Sequence, residues 1–242
     1  MGENQSVTGM VLLSAPVGEY DKRVVLLTKE RGKITAFARG ARRQNSPLLA
    51  AVNPFAFGEF ELYEGRNSFT LSKASIKNYF SALTTDLKDT YYGMYFLEVA
   101  DYYAQDSNDE RQLLLLLYQS LRALEKKALD NRLVRCIYEL RVLVVNGIYP
   151  DFFSCQHCHG EENLNWFSNG LYCEVCRPRS ASHLEISTLY ALQYIVTAPL
   201  QKLYTFTVKP EVLMQLERII GTCFRKKTEH IFKTLPFVEN LF

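Results

Sequence analysis

No run of 18 or more consecutive apolar residues occurs in the 242-residue chain, so no membrane-spanning helix is predicted. The opening MGENQSVTGMVLLSAPVGEYDK lacks the basic start, long apolar stretch and cleavage site of a secretory leader, and a cytoplasmic protein is expected. There is no P-loop, no GxSxG, no HExxH and no GxGxxG after a strand, which removes the commonest signatures of phosphate, acyl, zinc-protease and dinucleotide chemistry. Only four histidines are present. His157 and His159 lie among cysteines, and His183 and His230 stand alone, so no convergent acid, base and nucleophile can be assembled. Internal repeats and low-complexity tracts are also missing. A non-enzymatic globular protein is expected, and a hydrophobic content of 48% suffices for a real core.

What is present is unevenly placed. The net charge is only +2 overall, but residues 1–80 carry +4 and the remainder −2. Within the first part, RGKITAFARGARR holds Arg31, Lys33, Arg39, Arg42 and Arg43 with no acid, a pattern that predicts a focused basic edge.

From Val7 to Phe80, short apolar runs are broken by turn residues. Phe55, Phe57, Glu59 and Glu61 alternate with Ala56, Gly58, Phe60 and Leu62, a period of two, and the EGRN at Glu64 and the ERG at Glu30 read as hairpin turns. The spacing predicts a five-stranded β-barrel of the OB type over residues 1–80. After Asp86 the period becomes helical in DLKDTYYGMYFLEVADYYA, RQLLLLLYQSLRALEKKAL and RLVRCIYELRVLVVNG, with Leu133, Ile137, Leu140 and Val144 on one face of the third. Gly147 and Pro150 end that helix. ISTLYALQYIVTA reads as a helix capped near Ser187, and Pro210 opens EVLMQLERIIGTCFRKKT. The expected fold class is α+β: an N-terminal OB-fold β-barrel, then an α-helical domain over residues 81–242 with an inserted zinc-binding loop of four cysteines at about 151–180. The closing helices are expected to pack on the earlier three.

Four of the six cysteines form two CxxC pairs, Cys155 with Cys158 and Cys173 with Cys176, with fourteen residues between the pairs. Two-residue gaps let both sulfurs of a knuckle face one ion, and the intervening loop lets the second knuckle complete a tetrahedron. One structural Zn²⁺ is expected, with no open position for catalysis. Disulfides are disfavoured in a reducing compartment. A redox role needs only one CxxC, at a helix start beside a strand. His157 or His159 could each replace a thiolate, but the symmetric pairs already complete the set. Arg177 and Arg179 are candidates to offset the cluster's negative charge. Cys136 and Cys223 lie in helical patterns and read as buried residues.

Lys22, Arg23, Lys33, Arg39, Arg42, Arg43, Arg66 and Lys73, interleaved with Phe37, Tyr63 and Phe69, supply the cations and aromatics of a nucleic-acid-binding barrel. From the residues alone a second reading stays open: exposed cations on strands also prevent edge-to-edge aggregation.

The stretch GEYDKRVVLLTKERGKITAFARGARR and the junction NGIYPDFFSCQHC resemble the RecO family of bacterial recombination mediators, and the resemblance extends over nearly the whole chain. It implies a non-enzymatic protein that binds single- and double-stranded DNA and anneals complementary strands. It also implies work with RecR to load RecA onto strands covered by single-stranded-DNA-binding protein. Not every member keeps the four cysteines, so the resemblance implies a stabilising metal. DNA contacts fall on the OB domain and are carried to Lys22, Arg23, Arg39, Arg42 and Arg43, with Arg31 and Lys33 beside them. The acidic, apolar tail of the single-strand binder falls on the helical domain, where Leu213, Leu216 and Ile220 are expected to wall a groove rimmed by Arg218, Arg225, Lys226 and Lys227. A cytoplasmic, nucleoid-associated location follows. An RNA-binding OB and zinc-ribbon protein of translation is the alternative reading, and a zinc-dependent enzyme is a third.

Overall fold

The computed structural model describes residues 4–66, 68–168 and 170–240. Five strands, β1 (Asn4–Val17), β2 (Asp21–Thr28), β3 (Gly32–Ala38), β4 (Phe57–Glu64) and β5 (Phe69–Asn78), close into a barrel in the order β1-β2-β3-β5-β4. The fourteen-residue β1 closes it by pairing twice: Asn4–Met10 lie against β4, and Gly9–Val17 lie against β2. Its register shifts between Val11 and Leu13, a bulge that bends the strand from one partner to the other. Gly9 and Gly58 face each other at the crossing. A Cβ on Gly9 would lie 2.5 Å from the Leu27 carbonyl oxygen and one on Gly58 2.2 Å from that of Ser75, so only glycine lets the backbones approach this closely. The barrel closes through a short parallel contact, Ala36 and Phe37 against Phe69 and Thr70.

The predicted alternation holds on β4: Gly58, Phe60 and Leu62 point inward while Glu59 and Glu61 are exposed. With Val7, Val11, Val24, Leu26, Ile34, Ala36 and Leu71 they form the barrel core, completed by Ala41, Leu48, Val52 and Ala56 from the turns between β3 and β4. Phe55 is buried but precedes the strand in a left-handed conformation. The two hairpin turns lie where expected, with Thr28 Oγ1 donating to the Gly32 carbonyl in one and Gly65 N–H donating to that of Ser68 in the other. Asn67 of the second turn lies outside the described residues.

The chain divides into two compact units, residues 1–125 with 232–242 and residues 126–231. The sequence boundary at residue 80 marks the end of the barrel, but α1 (Leu87–Tyr103) and α2 (Arg111–Lys126, but for its last residue) belong to the first unit. Aromatic rings tie them in: Tyr118 of α2 packs against Phe57 and Phe80 at 4.6 and 5.3 Å between centroids. Asp86 caps α1 by accepting from Asp89 N–H at 3.0 Å. Residues 232–240, ending in α6 (Leu235–Asn240), return to α1. Phe232 meets Tyr95 and Tyr102 edge-on, Phe237 stacks on Tyr91, and the Glu98 carboxylate accepts from the N–H groups of Lys233 and Thr234 and from Thr234 Oγ1.

In the second unit, α4 (Ile186–Thr197) and α5 (Pro210–Lys227) pack on α3 (Asn131–Val145). The expected one-faced α3 is instead buried on every side from Leu133 to Leu143, including Arg135, Glu139 and Arg141, while Val144 is only half-buried. Its charges have partners: Arg132 forms a two-pronged bond to Glu217 of α5, Arg135 lies between Glu139 and Glu217, and Arg141, with no carboxylate beside it among the described residues, donates to the Val196 and Ile195 carbonyls that end α4. The α4 cap differs from expectation. Glu185 is the capping residue, its carbonyl accepting from Thr188 and Leu189, so Ser187 falls inside the first turn. Pro210 does open α5. No helix among the described residues is long and apolar enough to cross a membrane.

Candidate nucleic-acid interface and metal centre

The β2–β3 hairpin decides which of the predicted cations meet. Lys22 pairs with Ala38 at one end of it and Thr28 with Gly32 at the other. Lys22 and Arg23 therefore lie beside Arg39, Arg42 and Arg43, whereas Lys33 sits five residues back along β3, about 17 Å away. The convergence is fixed by backbone bonds. Asp21 Oδ1 accepts from Gly40 N–H at 2.7 Å, and Arg42 N–H donates to the Tyr20 carbonyl at 2.9 Å. The Arg42 guanidinium reaches the Gly18 and Glu19 carbonyls at 3.3 and 3.1 Å. Gly40 turns the chain with φ +63°, a conformation that would strain any side-chain-bearing residue. Lys22 Nζ donates to Asn53 Oδ1 at 2.8 Å. Partial burial, and then the nearby Arg42 charge, hold the Lys22 ammonium below its usual pKa.

Among the described residues none of Lys22, Arg23, Arg39, Arg42 and Arg43 has a carboxylate partner. The other cations differ. Arg31 is paired with Glu64 at 2.6 Å, Lys33 with Asp101 at 3.6 Å, Lys73 with Glu61 at 3.6 Å and Lys77 with Glu59 at 2.5 Å. Arg66 is exposed in the β4–β5 turn. Of the predicted aromatics, Phe37 is half-buried, Phe69 lies under the Arg31 guanidinium, and Tyr63 is exposed on β4 opposite Asn4, at the far end of β1 from the basic cluster. The aromatic within the cluster is Tyr20, with the Arg43 guanidinium 5.2 Å from its ring centroid. Periodicity does not single it out because it sits between turn residues, flanked directly by Glu19 and Asp21 and followed by Lys22 and Arg23.

The four cysteine sulfurs Cys155, Cys158, Cys173 and Cys176 lie within 4.8 Å of one another, Cys158 and Cys173 at 3.6 Å. Tetrahedral thiolates about 2.3 Å from one ion stand about 3.8 Å apart, so the donor set fits. The first knuckle is held by Cys155 N–H to the Gly160 carbonyl and His159 N–H to that of Cys155. The second is held by Cys176 and Arg177 N–H to the Cys173 carbonyl. Burial works against ionisation of Cys155, yet the N–H groups of Cys158, Cys173 and His157 outweigh it and bring the pKa down to about 6. Cys176 is pushed up to about 12, first by its bond to Cys173 and then by burial and the remaining sulfurs. A dication held by this donor set would favour the ionised form of all four sulfurs.

His157 and His159 are exposed and outside the cluster. Arg177 does not serve the sulfurs as expected. It pairs with Glu174 at 2.7 Å, because the two face each other three residues apart. Arg179 is exposed. The loop also has apolar support. Buried Phe152 and Trp166 stack at 6.0 Å, Leu164, Leu171 and Leu184 are buried, and β6 (Asn165–Phe167) pairs with β7 (Gly170–Tyr172). Cys136 and Cys223 are buried, as expected.

On α5 the predicted residues do not wall one groove: Leu213 lines a cavity of about 550 Å³ with Pro210 and Met214, without Leu216 or Ile220. Leu216 and Ile220 are fully buried and Leu213 nearly so, because this stripe is the face that packs inward. Arg218 and Lys226 donate to Ser182 and Ser168 hydroxyls, and Arg225 lies in the last turn. An apolar groove of about 660 Å³ lies instead along α4, lined by Ile186, Tyr190, Tyr194, Phe206, Val208 and Lys209 among others.

Sequence models of the families described as Recombination protein O N terminal and Recombination protein O C terminal match residues 1–80 and 84–236. The chain belongs to the RecO family. It is similar to the DNA repair protein RecO of Bacillus pumilus, 30% identical over 238 residues, or 96% of this chain and 93% of the relative. The protein of the same name from Alkaliphilus metalliredigens is 29% identical over 218 residues, 88% and 89% of the two chains, and that from Bacillus subtilis 28% over 238 residues, 96% and 93%. The two family matches meet at the end of the barrel, so the basic cluster lies in the first and all four cysteines in the second.

Proposed function

We propose that this protein is a DNA repair and recombination mediator that binds single- and double-stranded DNA at the basic end of its barrel and anneals complementary strands. With RecR it promotes loading of RecA onto strands covered by single-stranded-DNA-binding protein. The observation that carries this reading is the convergence, on one end of a closed OB-type barrel, of five cations without carboxylate partners among the described residues. Unneutralised cations attract any phosphate backbone and read no base edge, which suits a protein that must act on every sequence. One Zn²⁺ on the four cysteines is structural in this reading: Cys155, Cys158, Cys173 and Cys176 would fill its coordination, and its contribution is to fold the loop. The acidic, apolar tail of the single-strand binder is assigned to the groove along α4, where Tyr190 and Phe206 offer apolar walls and Lys209 a cation. Action on DNA fits a cytoplasmic, nucleoid-associated protein.

The test is annealing of complementary oligonucleotides. The protein should accelerate pairing of DNA strands, and a variant with Arg39, Arg42 and Arg43 changed to Ala should lose most of that acceleration. Equal acceleration of complementary RNA strands would favour a translation protein instead, and full activity in the variant would remove the barrel end from the reaction.

A further inference from the structure

Tyr20 is 44% exposed beside the basic cluster, flanked in its turn by Glu19 and Asp21, and its position is unusually constrained for a turn residue. Its carbonyl accepts from Arg42 N–H, the residue after it ties down Gly40, and the two carbonyls before it hold the Arg42 guanidinium. The turn between β1 and β2 is thus clamped to the turn after β3. A ring on so braced a turn is presented to solvent at little further cost in order, the condition under which an aromatic contributes most to binding. The Arg43 guanidinium covers it at 5.2 Å, a contact that at an exposed site is worth only about a few-fold in an equilibrium. Of the other described aromatics, Phe37 is half-buried, Phe69 is covered by Arg31, Tyr63 stands at the far end of β1, and the exposed Tyr79 follows β5, outside the turns after β1 and β3 that carry the cluster.

We propose that Tyr20 is a base-stacking platform that makes the basic end of the barrel favour unpaired nucleotides over duplex. The inference rests on the DNA-binding reading above and adds the kind of strand selected. An unpaired base displaces Arg43 from the ring and stacks there, and the released guanidinium turns to the phosphate of the same nucleotide. Bases in a duplex already stack on each other and offer no free face, so the duplex is held by the cations alone. Stacking also frees the choice of base, because each base has a π-face.

The experiment compares oligo(dT) of ~15 nucleotides with a duplex of equal length, titrated across salt with wild type, Tyr20→Ala, Tyr20→Phe and the Arg39/Arg42/Arg43→Ala variant. Tyr20→Ala should bind the single strand about tenfold more weakly and change duplex affinity less than about twofold, and it should keep the wild-type salt slope because it loses no phosphate contact. Tyr20→Phe should bind both as wild type does. Wild-type single-strand affinity in Tyr20→Ala, or equal losses on both substrates, would overturn the proposal, the second outcome meaning that the ring only positions Arg43. An unchanged slope in the arginine variant would overturn the DNA-binding reading itself, whatever Tyr20 does.

Discussion

The pairing pattern of the barrel cations turns into a quantitative expectation for salt. Five cations at the basic end have no carboxylate partner among the described residues, so if each meets one phosphate on a single strand, log affinity should fall against log salt with a slope of about 3.5. Changing Arg39, Arg42 and Arg43 to Ala leaves two such contacts and a slope of about 1.4. Between roughly 50 and 200 mM NaCl, wild type should lose about 100-fold in affinity and the variant only about sevenfold. The two curves therefore converge at high salt. The control replaces Arg31, Lys33 and Lys73, whose charges Glu64, Asp101 and Glu61 already offset. It removes the same formal charge but should shift the slope by less than about 0.5. Fluorescence anisotropy of a labelled oligo(dT) measures both. A control variant whose slope falls as far as that of Arg39/Arg42/Arg43→Ala would refute the reasoning, because net charge and not the unpaired cluster would then set the binding.

Two further outcomes are expected. The purified protein should hold one zinc per chain by elemental analysis, and Cys158→Ser should lose most of it and open residues 155–176 to proteolysis; the stacked Phe152 and Trp166 should keep the base of the loop protected. Changing Tyr190 to Ala or Lys209 to Glu should weaken an acidic, apolar tail peptide about tenfold in a direct titration, whereas reversing Arg225 and Lys226 should have little effect.

The strands were legible because each alternation reports a local fact, as when Phe60 and Leu62 turn inward and Glu59 and Glu61 outward. The cysteine cluster was legible because two CxxC pairs bring their geometry with them. What could not be read depends on partners far along the chain. Arg31 and Arg43 look alike in sequence, but Glu64, which neutralises Arg31, is 33 residues away. The burial of α3 follows the same logic, since the bond from Arg132 to Glu217 spans 85 positions. On α5 the apolar stripe Leu213, Leu216 and Ile220 announced a face to be covered, and periodicity alone does not tell a core face from a docking face. The exposed Ile186 and Tyr190 of α4 gave no comparable signal.

The return of residues 232–240 to α1 sets an order of events at the ribosome. Glu98 must wait for Thr234, 136 positions later. At synthesis rates of ~5–20 residues per second that interval is roughly 7 to 27 seconds, long beside the millisecond-to-second folding of a small barrel. During it the five strands can close while the α1 face holding Tyr91, Tyr95 and Tyr102 has yet to meet Phe232 and Phe237. The first unit is therefore the earliest to begin and the last to finish, and its nascent form presents an aromatic surface that the completed chain covers.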